Sequence, residues 1–295
     1  MRILPVTLSL ALLGSTVAAA ESLHRIPSDG KTVGQMMTRL ATLAAHRPAG
    51  RARQAIYFDT SLPSFLFQGA GSVQGKNGTF FHTDAMIANY RGTAQRLAVG
   101  WLAQGVDNSN SPLQYFSLDA NTTVALDDFV TATLQQAGFG AVVVIGVDAQ
   151  NNVDPNAVLD GQSRIWTLQP GSQGKVSLGL PGVDLADEVG ISDGYALGLR
   201  HDPSARTNVG IVNLDSVSHT WTVHANGVNK STSFDVQVPA YSVVQAAIPD
   251  GNYGNLFITL TPDVDGFDWS AYGVSVDNTT GDSWVSHVNQ PLAGN

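Results

Sequence analysis

The chain contains no cysteine. That excludes a disulfide framework, a cysteine nucleophile, thiolate-held zinc, an iron–sulfur cluster and a lipoprotein-type anchor. Charge is also scarce. Only 13% of the residues are Asp, Glu, Lys or Arg, and the formal net charge of -9 has the wrong sign for a nucleic-acid surface. Glutamate all but disappears after the first 20 residues: Glu21 and Glu188 are the examples. Aspartate is more common, but much of it stands in turn sequences such as Asp160-Gly161 and Asp250-Gly251. That distribution disfavours the carboxylate pair, about 5–9.5 Å apart, that a glycosidase needs. No H-E-x-x-H metal motif occurs.

The apolar fraction, 43%, is ample for a core. Residues 1–20 have the form of a secretory leader. Arg2 supplies the positive end, residues 3–13 the short apolar run, and Ala18-Ala19-Ala20 a small-residue cleavage site before Glu21. The run is shorter than the ~20 residues of a membrane span. A mature protein outside the cytoplasm, extracellular or periplasmic, without membrane insertion after cleavage, is the expectation.

Residues 21–64 read as a separate N-terminal segment. Val33, Met36, Leu40 and Leu43 have helical spacing, with Ser28 or Asp29 as cap and Pro48 and Gly50 as stop. From Ile56 the period changes to two. Thr220-Trp-Thr-Val-His224 and Phe234-Asp-Val-Gln-Val238 alternate as half-buried strands do, while Ala141–Ile145 and Leu256–Leu260 read as buried central strands.

Four segments recur in the same order. His82–Asn89 matches Arg206–Asn213, Leu97 and Val99 match Trp221 and Val223, Leu118–Val124 matches Val238–Val244, and Gly140–Val144 matches Gly254–Ile258. The offset falls from 124 to 120 to 114. Part of the extra length in the first copy has the pattern of a helix capped by Asp127 or Asp128, running to Ala137 and stopped at Gly138, where the second copy has Pro249-Asp-Gly251. The resulting expectation is an all-β chain with a short N-terminal helix. It comprises two tandem, related antiparallel β-sandwiches, immunoglobulin-like or jelly-roll-like, over residues 65–186 and 187–291.

Candidate chemistry is thin. Gly281-Asp-Ser-Trp284 lacks the second glycine of a nucleophile elbow and reads as part of a hairpin turn. His219 and His224 fall on opposite faces of a strand, which argues against a shared metal. Asp263, Asp265 and Asp268 place oxygen donors at short intervals, so calcium is the one cofactor the sequence suggests; Asp148 with Asn151, Asn152 and Asp154 is a second such loop. Trp166, Trp269, Tyr272 and Trp284 near the domain ends are candidate aromatic platforms for a sugar, whereas Trp101 and Trp221 read as core. Asn89 and Asn213 read as turn-holding side chains.

Gly75–Asp84, Arg206–Asn213, the Pro239-Ala-Tyr turn, Gly251-Asn-Tyr-Gly254 and Val276–Asp282 together resemble a family of secreted bacterial tandem β-sandwich proteins. The resemblance spans about residues 66–288. Its motifs are structural and assign no catalytic residue. It implies export and fold. The functional expectation is therefore a secreted, non-enzymatic binding or assembly protein of the cell surface. Its partner would be a carbohydrate or another surface protein, or a further copy of itself. A polysaccharide hydrolase working through loop aspartates is the alternative.

Overall fold

The structure is a computed structural model that describes residues 22–45, 63–75, 78–169, 171, 173–185 and 192–288. The expected leader and the Pro48–Gly50 helix stop lie outside the described residues. The fold is mostly β, with sandwich-like pairs of sheets and a short N-terminal helix.

Strand β1 (Leu23–Ile26) precedes helix α1 (Val33–Ala45). The first half continues with β2 (Ser64–Gln74), β3 (Phe80–Asn89), β4 (Gln95–Ala103), β5 (Gln114–Leu118), β6 (Thr122–Leu126), β7 (Gly138–Val147), β8 (Leu159–Leu168), β9 (Lys175–Pro181) and the short β10 (Val183–Asp184). The second half holds β11 (Gly194–His201), β12 (Ala205–Asn213), β13 (His219–Gly227), β14 (Ser231–Val238), β15 (Ser242–Ala247), β16 (Gly254–Pro262), β17 (Trp269–Asp277) and β18 (Ser283–His287).

The ladders of the two halves follow one plan. In the first half the orders are β5-β4-β7-β2 and β6-β3-β8-β9; in the second they are β14-β13-β16-β11 and β15-β12-β17-β18. Every pairing is antiparallel. In the first half Val73 pairs with Phe81, which joins β2 to β3 and makes one ten-stranded sheet with β1 and β10 attached. The register refines one sequence correspondence. Val99 faces Val144 and Val223 faces Leu260, so β7 and β16 correspond at an offset of 116 rather than 114.

Three apolar cores result among the described residues. One fills the first half, around Phe65, Phe67, Leu97, Trp101, Phe116 and Val142. One fills the second, around Trp221, Val223, Ile258, Leu260 and Trp269. The third lies between the halves and joins Leu66, Val143 and Ile145 to Val212, Tyr241 and Val243, with Met36 and Leu40 of α1 packed into the same cluster. Strand β7 is therefore covered on both faces, which is why its sequence is an unbroken apolar run.

The N-terminal segment is part of this assembly. Strand β1 pairs with β5, a pairing that helical periodicity could not announce. Helix α1 starts later than expected, because Thr32 and Gln35 form a reciprocal capping box: Gln35 N donates to Thr32 Oγ1 and Thr32 N donates to Gln35 Oε1. The next two helix N–H groups donate to Ser111 O and Ser109 O. Ser28 instead donates to Leu113 O, and Asp29 pairs with Lys31, so neither is the cap.

The helix expected after Asp127 is a single π-helical turn, Phe129–Thr133. Asp128 makes no side-chain cap: its backbone is left-handed, its N–H goes to Asp84 and its carboxylate to His82. Leu256–Leu260 is central in its sheet, paired with β11 on one side and β13 on the other, but it is buried on one face only: Leu256, Ile258 and Leu260 point inward and Phe257 points out.

Candidate functional site

The aromatic candidates do not converge. Trp269 is packed against Trp221 in the second core, with ring centroids 5.7 Å apart, and Tyr272 is buried where the second half meets Gly69 of the first. Both side chains are almost fully buried, so neither stands out as a solvent-facing platform, although Tyr272 also lines a cleft between the two halves. Trp166 is occupied from the neighbouring strands on either side: His82 stacks on it at 4.6 Å and Lys175 Nζ stands 3.5 Å from its ring. Trp284 differs. It is 36% exposed and lies beside an outward-facing sheet surface.

A bulge in an edge strand sets the position of Trp284. The β11–β16 register shifts between Ala196 and Leu199, and Gly198 takes φ +72, a left-handed conformation costly for any side chain-bearing residue. The bulge frees two backbone groups, and β18 takes both. Trp284 Nε1 donates to Gly198 O at 3.0 Å, and Ser286 Oγ accepts from Leu197 N at 2.9 Å. Trp284 and Ser286 are two residues apart, so they leave the strand on one side. The indole is thus fixed by its own polar edge.

Beside it runs an open groove of about 750 Å³ lined by Leu199, Arg200, Asn226, Val228, Asn255 and Phe257 together with Trp284. Phe257 is 43% exposed and sits opposite Asn226 in the ladder, while Asn255 sits opposite Arg200. Arg200 is held by Asp202 through a 2.6 Å Nε–Oδ2 ion pair. Hydrogen bonds from Ser204 and Arg200 hold the Asp202 carboxyl well below the usual carboxylate range. The groove therefore offers two aromatic surfaces, two side-chain amides and one oriented guanidinium. The sequence singled out Trp284 only. Phe257 was legible as an aromatic on the solvent phase of an alternating strand, but Leu256–Leu260 reads as a short apolar run, and such a run hides its phase.

The three aspartates of the loop suggested for calcium, Asp263, Asp265 and Asp268, have separate surroundings. Asp263 accepts from Thr220 N and contacts His219 Nδ1 at 2.9 Å, Asp265 is exposed, and the backbone carbonyl of Asp268 accepts from Leu214 N. No group of three or more His, Asp or Glu is placed to hold a metal ion among the described residues. What the loop builds is a clamp on His219. Asp215 Oδ2 stands 2.9 Å from its Nε2, and the Phe267 ring stacks on it at 3.7 Å. A neutral ring donates to one of these carboxylates, a charged ring to both. Burial pushes the Asp215 carboxyl up, but bonds from His219 and Ser216 outweigh it and leave it below its ordinary range. Burial, and then the charge of Asp215, push the Asp268 carboxyl up. At the second loop, Asp148 accepts from Gln150 N and Asn152 N as a turn cap. Residues Asp277–Asp282 form the hairpin turn expected around Gly281, closed by Asp277 N to Asp282 O.

No family model matches the chain, and no curated protein matches it significantly. The chain is similar to the crystal structure of Thermotoga maritima 1070, with a TM-score of 0.30 and 8% identity over 35% of this chain and 96% of that one. A likeness at that level carries no argument about fold or function.

Proposed function

We propose that this is an exported, non-enzymatic binding protein built from two related β-sandwiches, and that it binds carbohydrate in the groove beside Trp284. The leader-like residues 1–20 support export, and the resemblance to secreted tandem-sandwich proteins agrees with it. The matched ladder orders of the two halves support the tandem reading.

The observation that carries the ligand class is the composition of the groove. Trp284 is held edge-on by Gly198 O, so its ring needs no ordering on binding. The apolar C–H face of a pyranose stacks on such a ring, and its hydroxyls pair with planar amides and a guanidinium. Phe257 offers a second surface, and Asn226, Asn255 and Arg200 offer those polar groups. The openness of the groove suits a chain rather than an isolated monosaccharide.

The test is titration of the mature chain, residues 21–295, with soluble glucan, xylan, mannan and chitin oligosaccharides, with and without calcium. Heat of binding and tryptophan emission are the readouts. Binding to one class is expected, weakened at least about tenfold by Trp284→Ala and less by Phe257→Ala. Binding that is indifferent to both substitutions removes the groove from the account. Silence across the whole panel removes carbohydrate as the ligand.

A further inference from the structure

A second concave surface lies where the two halves meet, away from the Trp284 groove. It is a cleft of about 380 Å³, within the ~300–1,000 Å³ range of small-molecule sites. It opens where the outer face of the β15-β12-β17-β18 sheet leaves the first half. At one end of that face Val212 and Val243 are packed into the shared core. Further along, Val274 and Val276 instead face Phe139, Val176 and Leu178 of the first half across open space.

The polar groups of this cleft are unequal. Asp277 lines it, but its carboxylate is taken up by Thr279 N, Thr280 N and Thr280 Oγ1 in the hairpin turn. Arg206 also lines it, opposite Val276 in the ladder, and its Nη1 donates to the neutral amide oxygen of Asn278 at 2.8 Å. Among the described residues no carboxylate lies within ion-pair distance of Arg206. An apolar slot with one oriented, charge-unmatched guanidinium at its side is complementary to a molecule with an apolar body and an anionic head.

We propose that this cleft binds a small amphipathic carboxylate, with its apolar body between the Val274–Val276 strand and Val176–Leu178 and its head on Arg206. The site is contributed by both halves, so it exists only while they are docked.

Decanoate is the probe, added to the full mature chain below its micellar range and followed by calorimetry, with decanol as the uncharged comparison. One-to-one binding of decanoate is expected. Decanol should bind at least about tenfold more weakly, the Arg206→Gln chain should lose about tenfold for decanoate, and Arg206→Lys should recover part of that loss. Val176→Trp, which fills the slot from an edge strand, should abolish binding. Because that variant could alter folding, melting temperatures are compared, and Arg206→Gln at the solvent side of the cleft serves as the variant that leaves packing alone. Equal affinity for decanoate and decanol, or decanoate binding unaffected by Arg206→Gln, overturns the proposal. Absence of decanoate binding by the unsubstituted chain overturns it as well. None of these outcomes bears on saccharide binding at Trp284, which has its own titration.

Discussion

Asn89 and Asn213 stand 124 positions apart and make the same four hydrogen-bonded contacts. Each amide nitrogen is shared among three backbone carbonyls: Thr93, Leu118 and Asp119 for Asn89, and Val217, Val238 and Pro239 for Asn213. Each amide oxygen accepts from the N–H two residues on, Arg91 or Asp215. Both side chains are fully buried. Each therefore ties the end of one strand to the turn between two others, at the corner where the chain passes from sheet to sheet.

Replacing either asparagine by alanine strands several carbonyls in a buried corner. The expected cost is about 2–4 kcal/mol at each position, since an unsatisfied buried polar group costs about 1–3 kcal/mol. The two sites share no partner, so the double substitution should cost the sum within about 0.5 kcal/mol. Chemical denaturation of the four chains measures this. A cost below about 1 kcal/mol at either site would show that the corner holds without its amide.

These corners were legible because asparagine after a strand has a local mechanism, the Asx turn, that needs no knowledge of the fold. The period-two strands and the recurring order of segments were legible for the same reason. What tertiary contacts decided was not. Val130 and Leu134 have helical spacing, yet Asp84 and His82 claim the backbone and carboxylate of Asp128, and the segment makes only one turn. Their place near a domain end marks Trp269 and Tyr272 as candidate platforms, but three residues apart on β17 they leave it on opposite faces, and Trp269 enters the second core. Here the outer face of that sheet is covered by the first half, so both phases are buried. The groove at Trp284 depends on a bulge at Gly198 whose pairing partners lie far along the chain, and no local signal marks it.

Helix α1 provides a second measurable case. Its N-terminus is closed by Thr32 and Gln35, and its buried face adds Met36 and Leu40 to the core shared by both halves. Thr32→Ala should cost about 1 kcal/mol, and Thr32→Ser should restore most of it. Met36→Ala removes a fully buried side chain and should cost about 2–5 kcal/mol. Because the core is shared, the Met36 loss should appear in the single global unfolding transition. An early, separate transition of the N-terminal segment would contradict that.

Gly210 is constrained by a neighbour across the ladder. It pairs with Tyr272, and a β-carbon added there would overlap the Tyr272 ring carbons as well as the hydroxyl. Gly210→Ala should therefore destabilise by about 1–3 kcal/mol through overpacking. Tyr272→Phe should give no relief, because the ring carbons remain. Tyr272→Leu in the Gly210→Ala background should recover part of the loss, a coupling that a double-mutant cycle reads directly. Full relief by Tyr272→Phe would place the conflict at the hydroxyl instead.

Asp268 gives a pH dependence whose sign follows from its surroundings. Burial and then the nearby negative charge of Asp215 raise its folded-state pKa above the ordinary aspartate value near ~3.9. The native state thus holds this proton more tightly than the unfolded chain. Its contribution to stability is fully present below the unfolded value and is lost as pH rises through the folded value. Asp268→Asn imitates the protonated form at every pH. It should stabilise the protein at pH 7 by about 1 kcal/mol, the scale of a favourable single substitution, and the advantage should shrink towards zero near pH 3. The comparison is between variant and parent at each pH, so the general acid destabilisation from carboxylates held low elsewhere, such as Asp84 and Asp148, cancels. An advantage that is equal at pH 7 and pH 3 would mean that packing, not charge, distinguishes the two side chains.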